Sequence, residues 1–166
     1  MKQTGLGLVQ LLVGMTLATI LAGIAVPGFA QVIETQRRAD AAQQLASAIR
    51  SARTEAILRN QVVQVQAIGG DWSRGWRIIV ERTDSEDPVL IERTRSGKVP
   101  IVGNLWVKQQ VRFNGMGAPM SEGGAWNAGT LSICEKDRPI SHHQVVLSST
   151  GRVKVDSGKA DQPLCH

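Results

Sequence analysis

The chain has 166 residues, a formal net charge of +5 at pH 7 and two cysteines. About 130 residues follow an N-terminal apolar segment, which is enough for one compact domain with a buried core and too few for two. Basic and acidic residues are interspersed between positions 71 and 93, as on an ordinary solvated surface. The net charge alone therefore does not indicate a nucleic-acid partner.

The first predicted element is a long apolar helix. No charged residue occurs between Gln3 and Ile33, and the run from Leu6 to Val26 is predominantly apolar. At about 1.5 Å per helical residue, this run can cross the roughly 30 Å hydrocarbon layer of a membrane. We therefore predict that the N-terminal segment enters a membrane.

Three interpretations of this segment are open. A secretory signal peptide has a basic start, for which Lys2 qualifies, and a small-residue exit, for which either Gly23–Ala25 or Gly28–Ala30 qualifies. Its apolar core is shorter, however, at about 7–15 residues. A plain single-span anchor is the second interpretation. The third is a resemblance: Gly5 followed by Leu6–Leu12 looks like the leader and mature start of type IV pilins. This resemblance implies cleavage after Gly5 by a prepilin peptidase, methylation of the new terminus at Leu6, and retention of the helix as membrane anchor and filament core.

The segment departs from the pilin pattern at two positions, with Leu6 in place of the usual Phe and Gln10 in place of the usual Glu. In the family, that Glu is thought to pair with the amino terminus of a neighbouring subunit, because a carboxylate in lipid is costly unless it is paired. Gln10 can hydrogen-bond but cannot neutralise an ammonium group. The presence of Gln10 implies one of two things. Either the subunit occupies a position without such a neighbour, as at a filament tip, or its incorporation into the filament is weaker or is assisted by partners. The simpler alternative is a tolerated polar residue.

The second predicted element is an amphipathic helix. The sequence from Glu34 to Leu58 is rich in good helix formers and contains no Gly or Pro. Small apolar residues recur at helical spacing: Leu45, Ala48, Ile49, Ala52 and Ala56. We predict that this stripe packs on a sheet and that the two helical segments form one long helix, bent near Pro27.

From Gln61 onwards, short β-type runs alternate with turn signals. The predicted strands cover residues 62–68, 76–81, 89–93, 106–113, 130–134, 144–148 and 152–155. Because short loops join them, we predict antiparallel sheets packed against the helix, an α+β fold. The predicted organisation is a leader at 1–5, a transmembrane and filament-core helix at 6–28, its amphipathic continuation at 29–59, and a β-rich periplasmic domain at 60–166.

The two cysteines, Cys134 and Cys165, lie far apart in the C-terminal third. In a periplasmic domain their expected state is a disulfide, which would stabilise the fold by about 3–4 kcal/mol. A zinc site formed with His142, His143 and His166 is the alternative, although the spacing lacks the paired ligand units of known zinc sites.

Catalytic and cofactor motifs are missing from the sequence, which has no Gly-x-Ser-x-Gly elbow, no phosphate-binding loop and no dinucleotide fingerprint. The adjacent His142 and His143 would point to opposite faces of a regular strand. We therefore predict no catalytic site, no metal and no cofactor, and a function other than catalysis.

Five segments, taken in order, resemble the FimT/GspH family of type IV minor pilins and type II secretion minor pseudopilins. They are Ala52–Ala56, Asp71–Trp76, Phe113–Gly117, Leu131–Cys134 and Ser149–Val153. The resemblance implies a pilin-like fold and a subunit that assembles with other major and minor pilins or pseudopilins, near a filament tip. It also implies one pass through the bacterial inner membrane and a periplasmic domain, which becomes extracellular in an assembled pilus.

The last candidate site is a basic set near the C-terminus, formed by Arg152, Lys154 and Lys159. On a strand, Arg152 and Lys154 share one face because side chains alternate. DNA-binding minor pilins of the FimT group resemble this segment in a Gly-Arg-x-Arg motif, in which Lys154 here keeps the charge but loses the bidentate fork. The resemblance implies a second hypothesis, a DNA receptor for natural transformation. The alternative is a solubilising strand whose charge Asp156 and Asp161 offset.

Overall fold

The computed structural model describes residues 7–82, 87–161 and 164–165, and it leaves out the side chains of Ala22 and residues 24–28. The predicted leader, the processing residues Gly5 and Leu6, and His166 lie outside the described residues. The chain separates into two compact units, the first ending at Gln36 and the second beginning at Arg37.

One α-helix, α1, runs from Leu8 to Arg59 and contributes to both units. The two predicted helical segments are thus confirmed as one long helix. It ends in a Schellman motif, in which Asn60 has a positive φ of 49°, Asn60 N–H donates to Ile57 O, and Gln61 N–H donates to Ala56 O. Within the residues whose side chains are described, no helix is both long and apolar enough to span a membrane.

Ten strands follow within the described residues. They are β1 (Val63–Ala67), β2 (Gly75–Val80), β3 (Val89–Thr94), β4 (Ile101–Gly103), β5 (Gln110–Phe113), β6 (Pro119–Met120), β7 (Gly129–Glu135), β8 (Arg138–Leu147), β9 (Val153–Asp156) and β10 (Ala160–Asp161). The first sheet has the order β3-β2-β1-β5-β6. In the second sheet β4 pairs with β7 and β7 with β8, while β9 and β10 pair with successive parts of the other edge of β8. Every pair is antiparallel, which confirms the predicted α+β class.

The core forms where the apolar stripe of α1 meets alternate strand residues. The helix residues that are 0% exposed are Ala41, Ala42, Leu45, Ala46, Ile49, Ala52 and Ala56. Val63, Val65 and Ala67 of β1 belong to the same buried cluster, whereas Ala48 is only partly buried. The stripe and the strand residues thus share one buried cluster, which agrees with the predicted packing of the helix on a sheet.

The predicted strand at 106–113 is wrong in its first half. Residues 105–107 form a 3₁₀ turn, and β5 begins only at Gln110. Val107 is fully buried in this turn, and its carbonyl oxygen accepts a hydrogen bond from Trp72 Nε1 at 3.0 Å. A Cβ on Gly103 would lie 2.2 Å from Val107 O, so the two backbones are in direct contact. Tertiary packing therefore overrides the β-propensity of this segment.

Candidate assembly site and nucleic-acid surface

Gln10 caps the start of α1. Gly7 is the residue before the helix, and its N–H donates to Gln10 Oε1 at 3.3 Å. In a capping box, Gln or Glu at the third helical position accepts from the backbone amide of the N-cap residue in this way. Gln10 therefore has a structural partner within its own chain. Its role in assembly stays a prediction.

The first turns of α1 present a largely apolar surface. Its exposed large side chains are Leu8, Val9, Leu11, Leu12, Val13, Met15, Leu17, Ile20 and Leu21. The threonine hydroxyls in the same turns form hydrogen bonds with the backbone of the helix itself. Thr16 Oγ1 donates to Leu12 O and Val13 O, and Thr19 Oγ1 donates to Met15 O. A surface of this kind can enter an apolar environment without leaving these donors unpaired. Contiguous exposed apolar surface is typical of membrane or protein interaction sites.

Arg53 joins α1 to two glycine turns. Its Nε donates to Gly117 O at 2.9 Å, and its Nη1 donates to Gly151 O at 3.1 Å. The two glycines have φ values of 75° and 79°, and a Cβ on Gly151 would lie 2.7 Å from Gly117 O. Conformation and space therefore both favour glycine here. Three of the segments that carry the family resemblance thus meet at one guanidinium group, a role that the sequence pattern did not reveal.

Cys134 and Cys165 form a disulfide with an S–S distance of 1.98 Å, across a sequence separation of 31. This confirms the predicted bond, which fastens the segment after β10 to β7. Both sulfurs are consumed by the bond, so the alternative zinc site loses its two thiolate ligands. No cluster of three metal-ligating side chains occurs in the part of the chain that the structure describes, which leaves out His166.

The two adjacent histidines have different environments at a bulge where the pairing register of β7 and β8 shifts. His142 Nε2 lies 3.0 Å from Glu135 Oε2, and this hydrogen bond lowers the pKa of Glu135. Burial lowers the pKa of His143, with smaller contributions from the charges of His142 and Arg38. The Nδ1 atom of His143 has no hydrogen-bond partner among the described residues. His142 and His143 therefore do not form one shared metal or substrate site.

We call Arg152, Lys154 and Lys159 the basic ridge; all three side chains are exposed, and they lie in or beside β9 and β10 of the second sheet. In β9 the valines are half-buried and Lys154 is exposed, so Arg152 and Lys154 share the outer side. Lys154 Nζ pairs with Asp156 Oδ2 at 3.1 Å, which offsets part of the charge. Lys159 lies just before β10, on the same edge of β8.

Comparison with known proteins agrees with this architecture. The family described as type II transport protein GspH matches residues 41–151, more than half of the chain. Two crystal structures of the type IV minor pilin FimU from Pseudomonas aeruginosa PAO1 have the same fold at 21% identity. One has a TM-score of 0.62 and covers 80% of this chain and 98% of its own; the other has a TM-score of 0.59 and covers 76% and 98%.

A search of curated proteins found no match. The family and the fold are those of structural pilin subunits rather than enzymes, and such subunits are membrane-anchored or assembled with other pilins. The chain belongs to the GspH family of minor pilins and pseudopilins.

Proposed function

We propose that this protein is a minor pilin or pseudopilin subunit, anchored in the inner membrane by the start of α1 and assembled through the same surface into a filament. The observation that carries this proposal is the apolar surface at residues 8–21, whose threonine hydroxyls bond to the helix backbone. In the membrane this surface meets lipid, and in a filament it meets equivalent helices of neighbouring subunits. Neighbouring genes would assign the machine, since pilus and secretion genes differ.

Processing by a prepilin peptidase is part of this proposal. Gly5 and Leu6 immediately precede the N-cap residue Gly7, so cleavage between them would place the new amino terminus beside the first turn of α1. We expect intact-mass analysis of membrane-extracted protein to find a chain that begins at Leu6 and carries one methyl group. A terminus after Ala25 or Ala30 would contradict the pilin interpretation.

A matched pair of glycine variants tests the cleavage site itself. Gly5→Leu should leave uncleaved precursor in the membrane, because the peptidase would meet a bulky residue at the scissile bond. Gly14→Leu is the control, since a Cβ at Gly14 meets no atom within 4 Å. Normal processing of Gly5→Leu, or equal precursor accumulation in both variants, would contradict cleavage after Gly5.

A place near the filament tip is the finer part of the proposal, and Gln10 supports it. A subunit without a carboxylate at this position cannot neutralise the amino terminus of a neighbour, which disfavours internal positions in a filament. Immunogold labelling of sheared filaments should therefore mark ends rather than lengths. Uniform labelling along the filament would contradict a tip position.

A second candidate function is DNA binding by the basic ridge, because Arg152 and Lys154 share an exposed side. If three phosphates are contacted, the logarithm of the binding constant should fall with the logarithm of salt at a slope near −0.9 per contact. Arg152→Gln with Lys154→Gln should reduce that slope by about two units on the same scale. Asp156→Asn should strengthen binding, because it removes the partner of Lys154.

The test is an anisotropy titration of the full chain with labelled duplex DNA at several salt concentrations. A control double variant, Arg93→Gln with Lys98→Gln, removes the same charge from exposed positions outside the ridge. Equal losses in the two double variants would show that only net charge matters. That result, or undetectable binding at low salt, would remove the receptor hypothesis.

A further inference from the structure

A groove of about 570 Å³ lies on the face of the first sheet that points away from the buried cluster. Gln66 of β1 and Gln110 and Arg112 of β5 line it, and the register pairs Gln66 directly with Gln110. These side chains point outwards because the alternate residues Val65 and Val111 are buried. The outer face of the sheet therefore presents a cross-strand row of amide and guanidinium groups.

Hydrogen bonds hold these polar groups in place. Arg77 donates to Gln66 Oε1 from Nε at 3.0 Å and from Nη2 at 2.7 Å. Gln110 Nε2 donates to Glu122 Oε1 at 2.6 Å, and Arg112 pairs with a glutamate, Glu81. Such preorganised donors and acceptors lose little entropy when a ligand binds.

Two exposed tryptophans stand at the groove. Trp106 lines it and is 61% exposed, and Trp126, which is 72% exposed, forms a β-bridge with the lining residue Met120. Asn127 Nδ2 donates to Trp106 O at 3.0 Å and so ties the two loops together. Trp72 and Trp76, by contrast, are each 1% exposed in the core. Core packing therefore accounts for the buried pair, whereas most of the surface of the Trp106 and Trp126 side chains is open to solvent.

The charge around the groove argues against an anionic ligand. The groove lining contains Lys108, Arg112 and Glu122, and Glu81 balances Arg112 from beside it. Arg77, which donates to Gln66, adds a third cation, so three cations and two carboxylates leave a net charge of only +1, too little to attract a polyanion such as nucleic acid. A flat aromatic ring beside fixed amide and carboxylate groups instead suits a ligand with an apolar C–H face and hydroxyl edges.

We propose that this groove binds a neutral oligosaccharide, with a sugar ring stacked on Trp106 and its hydroxyls hydrogen-bonded to the groove floor. This activity would add glycan attachment to the assembly function. It does not depend on that function, because every residue involved lies in the sheet domain and none in the apolar part of α1.

The test is a fluorescence titration of the full chain with chitohexaose, cellohexaose and maltohexaose. The protein is kept in a zwitterionic detergent, because a maltoside detergent would compete for the groove. We expect at least one of these saccharides to shift the tryptophan emission to shorter wavelength at millimolar concentration. Trp106→Ala should weaken binding about tenfold, the loss expected for one stacked ring, and calorimetry can measure it independently of fluorescence.

Met116→Ala is the matched control, since Met116 is 79% exposed and does not line the groove. It should bind within twofold of the wild-type affinity, with near-UV circular dichroism confirming that both variants fold. Flat titrations with all three saccharides would overturn the proposal, as would equal weakening in the two variants. The proposal would also be overturned if the protein bound no saccharide but copurified with other pilins, and if Trp106→Ala abolished that copurification. Such a result would identify the groove as a protein interface.

Discussion

Individual side chains connect distant parts of this chain, and Arg53 is the clearest case. It is partly buried, and it gives one hydrogen bond each to Gly117 O and Gly151 O. Arg59, on the same helix, only pairs with Glu55 one turn away at an exposed position. We therefore expect the two arginines to contribute very differently to stability, although the sequence does not distinguish them.

Arg53→Met should lower the free energy of unfolding by about 2–3 kcal/mol, because two carbonyl groups lose a charged donor. Arg59→Met should change it by about 0.5 kcal/mol or less, as expected for an exposed pair one helical turn apart. Urea unfolding followed by tryptophan fluorescence measures both. Similar values for the two variants would contradict the bridging role of Arg53.

Gln10→Glu should raise the amount of this subunit in sheared filaments. Glutamate serves equally well at the third position of a capping box, so the Gly7 contact is kept while a carboxylate becomes available to a neighbouring amino terminus. Gln10→Ala is the control that removes the cap without adding charge, and it should not raise incorporation. If the amount and the filament position of the Gln10→Glu subunit equal those of the wild type, the role of Gln10 is restricted to capping α1.

At the scale of elements, α1 is defined by two different apolar patterns in one continuous helix. Its first part exposes apolar residues around the helix, whereas its second part buries a narrow alanine-rich stripe. The Schellman motif at Asn60 ends it where the β-structure begins. β1 and β9 arise where valines alternate with polar residues, and burial alternates along both strands.

The disulfide between Cys134 and Cys165 holds the C-terminal segment as an element of the fold. Cys134→Ser with Cys165→Ser should lower the free energy of unfolding by about 3–4 kcal/mol on the chain-entropy account. Hydrogen exchange should quicken around Lys159 more than in α1, because the bond anchors the tail. Reduced wild-type protein should behave like the double variant, and a double variant as stable as the oxidised protein would contradict this account.

For the molecule as a whole, stability should fall on acidification in two ranges. Burial holds the pKa of His143 below its ordinary value of 6.5, so the unfolded chain takes up that proton more readily than the folded chain. The free energy of unfolding should therefore decrease as the pH drops below 6.5 and towards the lowered pKa. The pKa of Glu135, lowered by its hydrogen bond with His142, adds a loss below the ordinary value of 4.5.

Thermal unfolding between neutral and acidic pH separates these contributions. His143→Gln should flatten the decrease just below pH 6.5, the ordinary histidine value, because no proton is then taken up on unfolding. His142→Gln should reduce the loss in the more acidic range, since the pKa of Glu135 is no longer lowered by its partner. A profile of His143→Gln that parallels the wild type would contradict the first assignment.

The sequence by itself determined the long helix, its alanine-rich stripe, the antiparallel β-class, the cysteine pairing and the family. Each of these depends on local periodicity, on the paired cysteines, or on motifs in a fixed order. The sequence also placed Arg152 and Lys154 on one side of a strand, because that alternation is a local property. It could not predict β4, β6 and β10, whose two or three residues are too short for a periodic signal.

Only the tertiary structure decided which segments meet. Residues 105–107 form a turn instead of a strand because Val107 O accepts a hydrogen bond from Trp72 Nε1 and lies against the backbone of Gly103. Packing also divided the four tryptophans: Trp72 and Trp76 are buried, Trp106 is exposed at the groove, and Trp126 is exposed beside its lining residue Met120. Contacts between residues far apart in the chain, such as Arg53 with two glycine turns, leave no periodic trace in either partner. The physical reason is that they depend on the relative positions of whole elements, which local sequence patterns do not encode.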